Sequence, residues 1–294
     1  MRSKARLRWI AIPVAAAIAL VVAGCTPQQL RGYMPGEPGI TNHTDGITGL
    51  WVTSWIVLLL VGLAVWGLII WSMVVYRRRK GQVGLPVQLR YNMPIEFFYT
   101  IVPFILIIGF FAFTAREQAS IEQPIENPDV QIEVHGKQWS WDFNYLNEGP
   151  GGEGVYYQGI QAQQTDESPF IDYDALPTLV LPVGQTVEII LESRDVIHSF
   201  WVPDFLYKKD MIPGKSNHMY FIPEKEGTYM GKCAELCGEF HSLMLFQVEV
   251  VSADEYEDYI QSLADAGFTG TIGQDLDRNQ NQPGRDAPAI RENE

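Results

Sequence analysis

No charged side chain occurs for 31 residues between Gly46 and Tyr76, nor for 19 between Phe97 and Ala115. Crossing the hydrocarbon core of a bilayer takes about 20 mainly apolar residues in a helix. The first stretch exceeds that length, and the second reaches it when extended to about Met93 with Glu96 tolerated near one end. A buried core helix rarely runs so far without a charge, so both stretches read as transmembrane helices. Interfacial aromatics accompany them: Trp51, Trp55, Trp71 and Tyr76 on the first, Tyr91 and Tyr99 near the start of the second. Arg77-Arg78-Arg79-Lys80 and Arg90 lie between the two, whereas Thr26–Leu50 holds a single basic residue, Arg31. Basic loops stay in the cytoplasm. The expected topology is therefore a two-helix hairpin over residues 49–116 with both flanks on the outer side.

The N-terminus points to the same sidedness. Arg2, Lys4, Arg6 and Arg8 precede sixteen uncharged residues, Trp9–Gly24. That run is short for a spanning helix and suits a signal peptide over residues 1–24. Val22-Ala23-Gly24-Cys25 resembles a bacterial lipoprotein signal, in which Cys25 is lipidated and becomes the first residue of the mature chain. An ordinary small-residue cleavage site beside an incidental cysteine is the alternative. Residues 25–48 are then an external N-terminal segment.

Beyond the second helix the chain changes character. From Arg116 onward it holds 32 acidic and 11 basic side chains, a net of −21, against +7 before that point. Such a surface repels phosphates, which disfavours nucleic acid and favours a cationic partner. Three cysteines are too few for a disulfide-built scaffold. Short β-rich runs punctuated by Gly and Pro occupy Val130–Tyr145, Leu179–Val183, Thr186–Glu192, His198–Val202, His218–Ile222, Thr228–Gly231 and Leu243–Val251. They predict a β-sandwich or Greek-key barrel over residues 117–266. Residues 147–177, rich in Gly, Gln and Asp, predict a surface loop; Asp254–Ala266 predicts a short acidic helix and 267–294 a disordered acidic tail. The fold class is a membrane-anchored all-β protein.

Candidate chemistry is concentrated in residues 233–244, Cys-Ala-Glu-Leu-Cys-Gly-Glu-Phe-His-Ser-Leu-Met. Thiolate and thioether are soft donors suited to copper, and His with Cys and a weak axial Met is the copper electron-transfer set. One copper needs a single cysteine. A second thiolate four residues on lets the pair bridge two copper ions. Each ion then needs a nitrogen: His241 supplies one, and His198, on a separate run 35 residues before Cys233, is the best candidate for the other. Three further readings stay open: a Cys233–Cys237 disulfide, a Cys-Cys-His zinc site, or His198 and Met244 as packed core residues. The ordered spacing with an upstream histidine favours binuclear copper.

This pattern closely resembles subunit II of bacterial cytochrome c oxidase, the haem–copper terminal oxidase, over roughly Gly49–Tyr259. The resemblance implies a two-helix transmembrane hairpin followed by an external cupredoxin-like Greek-key β-sandwich. It implies a binuclear Cu(A) centre on His198, Cys233, Cys237, His241 and Met244, with the backbone carbonyl of Glu235 as the remaining ligand. The Glu235 carboxylate is implied to help bind magnesium at the contact with subunit I. Gly136-Lys137-Gln138-Trp139-Ser140-Trp141 resembles the family's aromatic segment, which makes Trp139 the point where electrons arrive from a c-type cytochrome. Two aromatics packing a strand pair is the other reading. Ile95–Pro103 resembles the start of the family's second helix, whose glutamate, here Glu96, lies at the cytoplasmic mouth of a proton pathway into subunit I. Read without the resemblance, that carboxylate either sits among lipid headgroups or marks a proton path, and spacing does not decide between the two.

The chain has no Cys-x-x-Cys-His haem attachment, so the haems are expected in subunit I, where oxygen is reduced and protons are pumped. Quinol oxidases share the architecture without the copper ligands and are disfavoured. Two other functions compete. One is the Cu(A) subunit of a related nitrogen-oxide reductase, which the copper motif would serve equally. The other is a membrane-anchored copper-binding or delivery protein, against which the second helix and the Glu96 segment count.

Overall fold

The computed structural model describes residues 24, 26–85, 88–166 and 170–273. Most of the expected signal peptide, the lipidation candidate Cys25 and the tail after Gly273 lie outside the described residues. Two compact units divide the chain: residues up to Met34 with Gly46–Thr114, and Pro35–Asp45 with the residues from Ala115 onward.

The first unit holds a short helix α1 (Pro27–Leu30) and most of two long ones, α2 (Thr44–Val75) and α3 (Met93–Ile121). Leu63, Trp66 and Leu68 on α2, and Phe104, Ile107 and Phe111 on α3, all stand exposed. A helix apolar on every side suits lipid, not water. Helix α3 runs past the charge-free stretch because Ala115-Arg116-Glu117-Gln118-Ala119 are good helix formers. Both helices are long and apolar enough to cross a membrane.

Among the described residues the second unit carries ten strands. In chain order they are β1 (Val130–Lys137), β2 (Ser140–Leu146), β3 (Val155–Gln158), β4 (Thr178–Pro182), β5 (Val187–Ser193), β6 (His198–Val202), β7 (Tyr207–Met211), β8 (Asn217–Phe221), β9 (Gly227–Cys233) and β10 (Leu245–Val251). They build two five-stranded sheets, β3-β2-β1-β5-β8 and β4-β10-β9-β6-β7. The β1–β5 and β4–β10 pairs are parallel, and the chain passes repeatedly from one sheet to the other, giving the sandwich expected from the strand pattern. Alternation along the strands turns Trp141, Phe143 and Tyr145 of β2 inward: Trp141 meets Phe200 of β6 and Phe246 of β10, Phe143 meets Phe246, and Tyr145 meets Tyr256 and Tyr259. The Phe246 ring lies 4.8 Å from both Trp141 and Phe200, centroid to centroid. Beneath it Gly231 leaves the space the ring fills: a Cβ there would lie 2.2 Å from the ring.

Several details differ from the sequence reading. Val130–Tyr145 is not one run but a hairpin, turning at Gln138–Trp139, where no Gly, Asn or Asp marks the bend. The expected loop 147–177 contributes β3, which pairs with β2. The edge strand β7 pairs with β6, its Tyr-Lys-Lys-Asp-Met sequence being too polar to stand out. The acidic helix is α4 (Ala253–Asp265), capped by a Ser252–Glu255 capping box and burying Tyr256, Ile260 and Leu263. Part of residues 25–48, the expected external N-terminal segment, joins the sandwich: Ile40 is buried, and Asn42 exchanges hydrogen bonds with Ile222 through its N–H (3.1 Å) and side-chain oxygen (2.8 Å). Residues 268–273, expected to begin the disordered tail, also pack on the sandwich, with Ile272 buried.

Candidate metal centre

Strand β9 is antiparallel to both of its neighbours, β6 and β10. Its C-terminal end therefore lies beside the N-terminal ends of both. Cys233 closes β9, His198 opens β6, and Met244 directly precedes β10. Two hydrogen bonds fix the junction: Cys233 N–H to Met244 O (3.0 Å) and Ala234 N–H to Ser199 O (3.1 Å). Residues 234–240 loop away and return through a single turn of 3-10 helix, His241–Leu243. Residues far apart in sequence thus meet at one end of the sandwich.

The donor atoms gather around two sulfurs. Cys233 Sγ and Cys237 Sγ are 3.8 Å apart. Cys233 Sγ lies 3.8 Å from His198 Nδ1 and 3.1 Å from the carbonyl oxygen of Glu235. Cys237 Sγ lies 3.5 Å from His241 Nδ1 and 3.7 Å from Met244 Sδ. His198 and Met244 are fully buried and both cysteines nearly so, His241 is half-buried, and the Glu235 side chain is exposed. The structure brings together all the sequence-predicted candidates of this cluster. A disulfide holds its sulfurs about 2.05 Å apart, so this spacing is not one, and both cysteines are free. A structural zinc takes four ligands, fewer than the donors assembled here.

The electrostatics of the sulfur pair are asymmetric. Burial opposes a Cys233 thiolate, but the His198 imidazole and the N–H groups around it outweigh burial and hold its pKa below the ordinary thiol value. Burial, then the charge of Cys233, pushes Cys237 up to about 12. Two thiolates this close need positive charge between them, which suits a metal-binding pair.

Sequence reasoning missed the residue that orients His198. Asp195, three residues earlier and buried, accepts from His198 Nε2 at 2.7 Å. Burial works against the charges of both partners, yet their mutual bond holds the aspartate below and the imidazole above their ordinary values. Asp195 also accepts from the N–H of Gln138 (2.7 Å), whose side chain donates to Cys237 O (2.7 Å). An acid three residues before a histidine was the only available signal. Gly136 lets β1 pass under the His198 ring, since a Cβ there would lie 3.0 Å from His198 Cδ2. Trp139, at the β1–β2 turn, packs edge-on against Phe240 at 4.9 Å, while Trp141 is wholly core. Far from this cluster in sequence, Glu96 sits in the first turn of α3, its carboxylate accepting from Asn92 N–H at 2.9 Å.

Comparison with known proteins adds the family. Residues 130–251 match the sequence profile described as "Cytochrome C oxidase subunit II, periplasmic domain". The probable cytochrome c oxidase subunit 2 of Streptomyces coelicolor is 38% identical, the match covering 97% of this chain and 96% of that protein. Cytochrome c oxidase subunit 2 of Mycobacterium tuberculosis is 33% identical over 91% of this chain and 84% of its own length. Among solved structures, the periplasmic domain of subunit II of cytochrome oxidase from Bradyrhizobium japonicum is 30% identical. That match covers 50% of this chain and all of that one, with a TM-score of 0.42. With full-length relatives at this identity and the profile over its β-sandwich, the chain belongs to the cytochrome c oxidase subunit II family.

Proposed function

We propose that this chain is the electron-accepting subunit of a cytochrome c oxidase. It takes electrons one at a time from a reduced c-type cytochrome and passes them to haem in subunit I, where oxygen is reduced to water and protons are pumped. The observation that carries this reading is the buried sulfur pair, each sulfur with its own imidazole nitrogen and one further donor. His198, Cys233, Cys237, His241, Met244 and the Glu235 carbonyl would hold two copper ions, the Cu(A) pair, which when bound takes up and releases one electron.

The remaining work falls to the chain's own residues. Asp195 holds the Nε2–H of His198 so that Nδ1 faces the sulfurs, fixing both tautomer and ring direction. Three strand ends and the packed Phe200–Phe246 pair hold the donors in place, so little has to move when the charge changes. Trp139, at the tip of the hairpin beside the sulfur loop, is the first acceptor in this reading. The net charge of −21 after the second helix draws in a cationic cytochrome. The exposed Glu235 carboxylate is free to share magnesium with subunit I, and Glu96 stands at the mouth of the proton pathway. The β-sandwich lies on the outer side of a bacterial cell membrane, the basic loop inside, after removal of a signal over 1–24 and lipidation at Cys25.

Electron uptake by the whole oxidase from a reduced, basic c-type cytochrome tests this function. Its rate should fall as salt rises, and Trp139→Phe should slow it with the copper content unchanged. A salt-independent rate, or one indifferent to Trp139, contradicts the docking and first-acceptor roles.

A further inference from the structure

The outer face of the β1–β2 hairpin is polar yet almost closed to water. Alternation turns Asp142 and Asn144 away from the core, opposite His135 and Glu133 of β1, and Arg194 follows the end of β5. Even so, His135, Asp142, Asn144 and Arg194 are only 4%, 0%, 0% and 2% exposed. The segment after α4 bonds to two of these four residues, Asn144 and Arg194. Tyr156 N–H donates to Phe268 O (3.0 Å) and Gly270 N–H to Gly154 O (2.8 Å), lengthening the sheet beyond β3. The segment then crosses to Asn144, whose amide oxygen accepts from Ile272 N–H (2.9 Å) and whose nitrogen donates to Ile272 O (3.2 Å). Arg194 donates through Nη1 to Gly273 O (2.9 Å) and through Nε to Asp142 Oδ2 (3.1 Å). Asp142 Oδ1 accepts from Lys137 Nζ (2.6 Å) and Gly159 N–H (3.2 Å).

A buried ion pair is stable only when its remaining hydrogen-bonding groups are satisfied. Here the segment after α4 completes the set. Its place in the chain gives it reach: the backbone N–H of Arg194 is tied to Gly136 O (2.9 Å) under the His198 ring, and the next residue is Asp195, which holds that ring. We infer that Phe268–Gly273 is a positioning strap for the metal centre, acting through Arg194 and Asp142 on Asp195 and so on the direction of the His198 imidazole. The inference rests on the copper reading of the site. Arg194 and Asp142 are positioning residues in it, since neither touches a donor atom of the cluster.

The test uses the whole oxidase with three separate changes in this chain: a stop after Gly273, a stop after Gly267, and Asp142→Asn. Copper per chain, the nitrogen hyperfine couplings of the two histidines, the midpoint potential and competition with a copper chelator are measured for each. The stop after Gly273 should match the parent throughout. The stop after Gly267 and Asp142→Asn should retain two coppers, alter the coupling of one histidine but not the other, and shift the potential. Copper affinity should drop about tenfold, the low end of the loss seen when a ligand's supporting partner is removed. Parental couplings, potential and affinity in the chain ending at Gly267 would overturn the inference. So would equal losses from the stop after Gly273. If the chain ending at Gly267 does not assemble, Asp142→Asn and Arg194→Lys, which leave the strap's backbone in place, decide by the same one-histidine signature. A parent chain that holds no copper would instead overturn the metal reading beneath it.

Discussion

Gly136→Ala adds one methyl group directly under a proposed ligand. The new carbon would lie 3.0, 3.2 and 3.3 Å from Cδ2, Cγ and Cβ of His198, closer than carbon atoms normally pack. Gly136 is not among the positive-φ residues, so alanine adds no backbone strain and the effect is purely one of space. Neither side has an easy way to yield. The imidazole is fully buried and held by Asp195 at 2.7 Å, and Gly136 sits in the middle of three paired strands, opposite Trp141 and Ser193. Overpacking of this kind costs about 1–3 kcal/mol. At about 2–4 °C per kcal/mol for a domain of this size, the midpoint of thermal unfolding should fall by about 2–12 °C. The measurement is a melt of the copper-free protein beside hyperfine spectroscopy of the loaded one, in which one histidine coupling should shift. An unchanged melting point together with an unchanged coupling would show that the ring does not rest on Gly136, and the description of this side of the site would be wrong.

Removing the ring at the centre of the core, Phe246→Ala, should cost about 3–5 kcal/mol in a denaturant titration, because Trp141, Phe143 and Phe200 cannot all close on the gap; a loss under about 1 kcal/mol would mean the sandwich core is looser than described. Asp195→Asn leaves the shape of the site but removes the charge-assisted bond to His198 Nε2, so copper affinity against a chelator should drop about 10–100-fold; parental affinity would refute the orienting role. For Glu133, burial raises the pKa, but His135 and the Asn144 amide outweigh it, so the folded value lies below the ordinary 4.5. Such a group stabilises the fold above its unfolded pKa, and this contribution is lost as pH falls through the lower folded value. The copper-free Glu133→Gln chain should accordingly lose less stability below about pH 4.5 than the parent does; parallel acid curves would contradict that sign.

What could be read from the sequence and what could not separate along physical lines. The helices α2 and α3 were legible because a long charge-free run has few alternatives, although α3 continued past Ala115 on helix propensity alone. The central strands announced themselves by apolar alternation. Strands β3 and β7 did not, since one lies in a Gly-rich stretch and the other sets three charged residues in a row, Lys208, Lys209 and Asp210, between Tyr207 and Met211. The hairpin turn at Gln138–Trp139 lacks turn residues altogether. Cys233, Cys237, His241 and Met244 could be grouped because they share one short stretch; His198 could be named as the best candidate for the second nitrogen, and the antiparallel order of β6, β9 and β10 is what brings it to them. Asp195 and the strap stayed hidden for a common reason. Their importance comes from burial and hydrogen bonding created by the fold, and a lone aspartate or an Ile-Gly pair in a polar tail carries no pattern of its own.

The central claim is that two copper ions share one electron across the Cys233–Cys237 pair. The most direct measurement is a copper count on the isolated oxidase subunit together with its electron paramagnetic resonance spectrum. Two coppers per chain with a seven-line hyperfine pattern, from one unpaired electron spread over two equivalent nuclei, is the expected result. One copper with a four-line pattern, or no copper with Cys233 and Cys237 joined in a disulfide after reductive loading, would contradict it.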